Sequence, residues 1–163
     1  VGYNSRELYQ ISEENKISRK IFYLVGAMGH TAAIALGSNI FDKKNNNTIC
    51  IDGDGSFIMH MGSIVNAANF SKKNFKYLMF KNNKHESIGG IDLKMNINFE
   101  KFASSVGFKK FISTKNNKDL KKNIKNFLNF KASVFHVVCV KQETIDNLLR
   151  PKNLKKIKEK FLS

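Results

Sequence analysis

From residue 21 to residue 41 the chain carries no fixed charge. On length alone that run could cross a bilayer, which takes about 20 apolar residues. Its interior argues otherwise. Gly26-Ala27-Met28-Gly29-His30 sits in the middle, and neighbouring glycines punctuate a helix strongly. A strand over 21–25, a glycine-rich turn and a helix over 30–41 account for the run better. A second apolar run over 48–51 reads as a buried strand and ends in Asp52-Gly53-Asp54-Gly55.

The rest of the chain continues that order. Met61, Ile64, Val65 and Ala68 recur at helical spacing. Residues 75–80 read as a strand and 82–95 as a long polar loop with paired glycines. Phe102, Ala103 and Val106 point to a short helix, and 108–112 to a strand. Leu120, Ile124, Phe127 and Leu128 form one helical stripe. Residues 133–140 make a continuous apolar strand, and helical segments are expected from Thr144 onward, broken at Pro151. Strands apolar on both faces that alternate with helices imply an α/β, three-layer sandwich with a mostly parallel sheet flanked by helices. With 163 residues and no linker in view, 1–163 reads as one domain. The chain begins at Val1 rather than Met, so its natural N-terminus is expected to lie upstream. No signal peptide is visible.

The charge balance is strongly basic, with 28 Lys and Arg against 13 Asp and Glu. That excess would suit nucleic acid, and steeply salt-dependent DNA binding would be its sign. Yet only three of the cations are Arg, the residue that phosphate clamps and base readers favour. Lysines are sprinkled among 20 asparagines through nearly every polar stretch, which reads as solvated surface rather than an interface. Neither a nucleic-acid nor a membrane partner is expected. Cys50 and Cys139 each lie in an apolar strand-like run, so both thiols are expected to be buried in a reducing, cytoplasmic setting.

In a parallel sheet, ligands bind at the carboxyl ends of the strands. The turns 26–30 and 53–56 and the loop 82–90 all fall there, on one rim. Gly53 and Gly55 let backbone approach an anion closely, and the amides of Gly55 and Ser56 open a helix, whose start carries partial positive charge. A carboxylate beside phosphate makes sense with a hard cation between them, and Mg²⁺ prefers such oxygen ligands. Asn82 or Asn83 could add an amide oxygen. Gly-Asp-Gly is equally compatible with a mere tight turn. Met28 taken alone reads as core filler. A lone histidine is more often a structural hydrogen-bonder than a catalyst, and His60 is read so; His136 lies within an apolar strand and is given no role.

Spacing separates these readings. Gly53-Asp54-Gly55 and Asn82-Asn83, with 26 residues between them, resemble the signature of thiamine-diphosphate enzymes. The segments Gly2-Tyr3-Asn4-Ser5-Arg6-Glu7-Leu8, Val25-Gly26-Ala27-Met28-Gly29-His30-Thr31-Ala32, Met59-His60-Met61-Gly62 and His85-Glu86-Ser87-Ile88-Gly89-Gly90 extend the likeness, in register. They look like the phosphonopyruvate decarboxylase family, with sulfopyruvate decarboxylase as close relative. The resemblance implies a thiamine-diphosphate-binding fold, thiamine diphosphate and Mg²⁺ as cofactors, and decarboxylation of a 2-oxo acid, with the thiazolium accepting the electrons released as CO₂ leaves.

Carried over residue by residue, the resemblance makes Asp54 and Asn82 side-chain ligands of Mg²⁺, with the Lys84 carbonyl as a third. Anchoring on 85–90 selects Asn82, whereas the Asn-Asn pair alone would select Asn83. Gly55 and Ser56 would hold the diphosphate, with Asn4 or Ser5. Met28 would wedge between the two rings of the cofactor, and the Gly26 carbonyl would accept from its aminopyrimidine; Ala27 and Ile88 fall against the cofactor as well. His85, Glu86 and Ser87 would face the substrate. Gly89-Gly90-Ile91 stands where the family loop typically reads Gly-Gly-Gln, which loses a polar side chain and bears on the substrate.

The resemblance also implies a site shared between two domains, of which this chain matches the diphosphate-binding one. The pyrimidine-binding domain, which supplies an activating glutamate, is then expected in a longer polypeptide ending in this chain or on a separate partner chain, within a homo-oligomer. Sulfopyruvate decarboxylase subunits and acetolactate-synthase-like enzymes are the alternatives within the same chemistry.

Overall fold

A computed structural model describes residues 1–17, 20–72, 74–143, 145 and 147–162. Along the chain run α1 (Gly2–Glu14), α2 (Thr31–Phe41), β1 (Thr48–Gly53), α3 (Asp54–Met59), α4 (Met61–Phe70) and β2 (Phe75–Lys81). A short hairpin follows, β3 (Lys84–His85) and β4 (Ile91–Asp92), closed by a 3₁₀ turn over Glu86–Ile88. Then come α5 (Phe99–Val106), β5 (Lys110–Thr114), α6 (Asn117–Asn129), β6 (Val134–Cys139) and α7 (Leu154–Leu162). The main sheet is wholly parallel, in the order β1-β2-β6-β5.

The two central strands are buried on both faces, so their side chains divide between two cores. On one face Phe75, Tyr77, Met79, Phe135 and Val137 pack with Phe57, Ile64 and Ala103 from α3, α4 and α5. On the other, Leu78, Val134 and Val138 meet Phe127 of α6. Helices therefore cover both sides of the sheet. Phe135 is fully buried and its ring lies within 5.2–6.2 Å of those of Phe57, Tyr77, Phe99, Phe102, Phe108 and Phe111. Lys76 lies on the opposite face of β2, the one that carries Leu78, with its chain buried. Its amine leaves the core at the end of α6, donating to the Phe130 and Ala132 carbonyls, where a cation also meets the negative end of the helix dipole.

Four expectations need correction. Residues 21–25 form no strand; Tyr23 packs edge-on against Tyr9 of α1 and Phe22 against Phe161 of α7. Aromatic anchoring on two helices replaces sheet pairing there. The strand expected over 108–112 begins two residues later, because Gly107 takes a left-handed φ of 108° and the Phe108 amide caps α5 on the Ala103 carbonyl. Cys50 is buried but Cys139 is exposed, since it ends β6 where the sheet opens to the rim. Beyond β6 the described residues are helical only from Leu154 to Leu162; Thr144 itself lies outside the described residues. Among the described residues, no helix is long and apolar enough to cross a membrane.

His136 is fully buried on β6, its Nε2 2.8 Å from Thr114 Oγ1, and Asn123 donates to that same hydroxyl. Burial lowers its pKa to about 4. An unfolded histidine titrates near pH ~6.5. As pH falls below that value the unfolded chain gains a proton that the folded chain refuses until about pH 4, so stability is lost through this window. At about 1.4 kcal/mol per pKa unit, folding should be weaker by about 2 kcal/mol at pH 5 than at pH 7.5 on this account. Urea unfolding at both pH values checks it: His136→Gln should lose about 2 kcal/mol less than wild type on acidification, and an equal loss would mean that this imidazole is not the group responsible.

Candidate functional site

At the carboxyl ends of β1, β2 and β6 the sheet opens into a cavity of about 220 Å³. Three loops and one helix build its wall. The segment Gly53–Ser56 comes from the end of β1, Asn82 and Lys84–Ser87 from the end of β2, and Val140, Lys141 and Glu143 from the end of β6. The first turns of α1 add Gly2, Tyr3, Asn4 and Glu7, and Met28 enters from the turn before α2.

Asp54 lies at the bottom, 3% exposed. Its Oδ2 accepts from the backbone amides of Asn82 (3.0 Å) and Asn83 (2.7 Å), and its Oδ1 from that of Gly55 (3.0 Å). Burial raises the pKa of this carboxyl, while the Asn83, Gly55 and Asn82 amides pull it back. Among the described residues its partners are dipoles, not cations in ion-pair contact. Asn82 is held by its own loop, accepting from the Lys84 amide (2.9 Å) and donating to Glu86 Oε1 (3.2 Å). Asn83 adopts a left-handed φ of 60° and is exposed, its side chain taken by the Lys81 amine, so it does not line the cavity.

At Gly55 any side chain would collide with the His85 ring as it stands. A Cβ there would stand 2.8 Å from Cδ2 of the His85 ring, which lies flat over the glycine and touches Met28 Sδ. Asn4 Nδ2 comes similarly close to Gly53. The Ser56 hydroxyl accepts from the Gly29 amide at 2.9 Å.

The cavity thus brings together Asn4, Met28, Asp54, Gly55, Ser56, Asn82, Lys84, His85, Glu86 and Ser87. Four other expected cofactor contacts lie outside its wall. Ser5 is buried in α1, Gly26 and Ala27 form the exposed bend before Met28, and Ile88 is 55% exposed at the end of the 3₁₀ turn. His60 lies between α3 and α4, its ring 4.9 Å from that of His30.

Several wall residues were not anticipated. Glu7, whose pKa burial raises, gives no sign in sequence because it faces the site only through the packing of α1. Val140, Lys141 and Glu143 could have been found, since they follow a predicted strand at its carboxyl end. Asp52, which the sequence places in the turn after the strand, has a role that sequence reasoning did not assign. It is 1% exposed and accepts from Tyr77 (2.8 Å), Thr31 (3.2 Å) and the Gly53 amide (3.0 Å). Burial raises its pKa against these donors and drives that of Tyr77 well above the ordinary range.

Residues 1–139 match the family model for the thiamine pyrophosphate enzyme, C-terminal TPP binding domain. The chain is 28% identical over 152 residues to a phosphonopyruvate decarboxylase of Streptomyces viridochromogenes, an overlap covering 93% of this chain and 37% of that protein. It is 32% identical over 133 residues to sulfopyruvate decarboxylase subunit beta of Methanocaldococcus jannaschii, covering 79% of this chain and 66% of that subunit. The chain therefore spans little more than a third of the first relative and just under two thirds of the second. A solved structure of a Mycobacterium smegmatis enzyme described as thiamin diphosphate-dependent matches with a TM-score of 0.58 at 20% identity, over 72% of this chain and 23% of that one. That likeness concerns the fold.

The contact between Gly55 and His85 yields a direct test. Gly55→Ala must push the imidazole off the loop, because the new methyl would overlap the ring. Histidine ring resonances in NMR spectra should shift for His85 and stay put for the distant, buried His136. An unmoved His85 signal would show that the ring does not rest there.

Proposed function

The chain belongs to the thiamine pyrophosphate enzymes, as their C-terminal TPP binding domain, and from that premise we propose that it is the diphosphate-binding part of a 2-oxo acid decarboxylase acting on phosphonopyruvate to give phosphonoacetaldehyde and CO₂. The observation that carries the reading is the single cavity in which Asp54, Asn82 and Met28 meet His85, Glu86 and Ser87. When bound, thiamine diphosphate supplies the electron sink for the carbon–carbon cleavage. The chain binds, bends and orients it.

The residues present fit a hard divalent cation. A carboxylate buried among amide dipoles, with no ion-pair partner among the described residues, is poorly compensated. Mg²⁺ would complete it, taken by oxygens of Asp54, Asn82 and the Lys84 backbone. The same oxygen donors explain why, among the described residues, no cluster of three His, Cys, Asp or Glu marks a metal site. Gly55 and Ser56 would present backbone to the diphosphate, with Asn4 or Ser5 beside them. Met28 would support the bend between the cofactor's rings, and Gly26 would take a hydrogen bond from its aminopyrimidine, with Ala27 and Ile88 alongside. His85, Glu86 and Ser87 would meet the substrate. Lys84 and Lys141 share the wall with Glu7, Asp54, Glu86 and Glu143 and are themselves paired with Asp92 and Glu143, so the preference for a substrate with a second anionic group rests on the family resemblance and not on the charge of this wall.

A cavity of about 220 Å³ is smaller than the ~300–1,000 Å³ of complete ligand sites. This supports a site shared with a pyrimidine-binding domain, in the same polypeptide or on a partner chain; a homo-oligomeric enzyme of the reducing cytoplasm is proposed on the family resemblance. A sulfopyruvate decarboxylase beta-type subunit is the second reading, favoured by the larger share of that relative which the chain covers.

The chain alone should turn over no phosphonopyruvate, and the completing domain should restore activity. With the completed enzyme, kcat/KM should rank phosphonopyruvate above sulfopyruvate and both above pyruvate; a preference for sulfopyruvate moves the assignment to the second reading. Calorimetry should find Mg²⁺-dependent thiamine diphosphate binding lost in Asp54→Ala and weakened at least tenfold in Asn82→Ala, a loss of about 1.4 kcal/mol or more. Asn83→Ala should bind within a few-fold of wild type; if it is the damaging change, the metal ligand is Asn83.

A further inference from the structure

We infer that Glu86 is a positioning residue for the cation site: by accepting from the Asn82 side chain it fixes the plane of that amide, so that the oxygen and not the nitrogen is the atom offered to the ion. The role rests on the proposed Mg²⁺ site.

All four polar groups of Asn82 are engaged. Its backbone amide donates to Asp54 Oδ2, and its backbone carbonyl accepts from Gln142 Nε2, each at 3.0 Å. Its side-chain oxygen accepts from the Lys84 amide at 2.9 Å, and its Nδ2 donates to Glu86 Oε1 at 3.2 Å. The backbone of Asn82 is thus pinned from the segment after β1 and from the segment after β6. What is left to turn is the amide group.

The two side-chain contacts make opposite demands. A backbone N–H only donates, and a carboxylate only accepts. Turning the amide over would set Nδ2 against the Lys84 N–H and Oδ1 against the Glu86 oxygen, two like contacts at once. The Lys84 bond alone fixes a point about which the amide could swing; the Glu86 bond adds a second point and so fixes the plane. An amide oxygen accepts twice, so Oδ1 keeps one lone pair beyond its bond to Lys84. Mg²⁺ takes oxygen ligands, and an amide nitrogen offers it nothing. An Asn82 turned the wrong way would be no ligand at all.

Glu86 reaches back to Asn82 because it opens the 3₁₀ turn four residues further on. Only its Oε1 is spent there. Its Oε2 has no hydrogen-bond partner among the described residues and remains for the substrate in the proposed function.

Two substitutions separate orientation from charge. Glu86→Ala removes both the acceptor and the negative charge, whereas Glu86→Gln removes the charge and keeps an oxygen that can accept from Asn82. The measurement is the Mg²⁺ affinity of the intact protein that carries this chain, by calorimetry at saturating thiamine diphosphate. Glu86→Ala should weaken Mg²⁺ about tenfold, and Glu86→Gln should stay within about threefold of wild type. Equal weakening in both variants would make the effect one of charge and overturn the inference. An unchanged affinity in Glu86→Ala would overturn it too. Either result leaves the proposed function standing as long as Asp54→Ala loses Mg²⁺-dependent binding. Were Asp54→Ala to bind Mg²⁺ as wild type does, the cation site itself would fall and this inference with it.

Discussion

A carboxylate removed from water must be met by donors, and at the end of β1 that requirement organises the molecule. Asp52 is 1% exposed and takes hydrogen bonds from the start of α2, the neighbouring strand and the next backbone amide. Each donor comes from a different element, so satisfying one side chain draws α2 and β2 to the end of β1. The cavity opens directly beside it.

Packing holds that point in register. Phe57, one residue beyond the Gly-Asp-Gly-Ser sequence, is 1% exposed and reaches into the aromatic cluster around Phe135. The loop carrying Asp54 is thus anchored at one end by a polar network and at the other by stacked rings. A rigid scaffold under a polar loop is what a site needs, because a group held loosely gives up part of each interaction it makes. The hairpin bearing His85, Glu86 and Ser87 has no such anchor. It leans on Gly55 and Met28, and a surface ion pair between Lys84 and Asp92, at 3.8 Å and mostly solvated, adds little to its hold.

Much of the architecture was legible in the sequence, because a parallel sheet writes itself as uninterrupted apolar runs. Residues 48–51, 75–80 and, of the expected 133–140, residues 134–139 lie in strands, and each glycine-rich or polar segment after them reaches the rim. The readings that failed involve partners far along the chain. Nothing in residues 21–25 says that Phe22 and Tyr23 will find rings on α7 and α1 instead of a neighbouring strand. Nothing local to Phe108 says that its amide will close α5. Cys139 looked buried because its neighbours are apolar, yet strand ends at an open rim are wet.

The sequence by itself determined the layered α/β plan and the rim that carries Asp54, the Asn82-Asn83 pair and the loop with His85, since apolar periodicity and glycine spacing are local and survive in one dimension. Only the tertiary structure decided which asparagine turns inward, that the Gly29 amide meets the Ser56 hydroxyl, and that Glu7 and Lys141 share the wall. Hydrogen-bond saturation and cavity walls are properties of groups brought together from distant positions, and a donor's availability depends on every other acceptor within its reach.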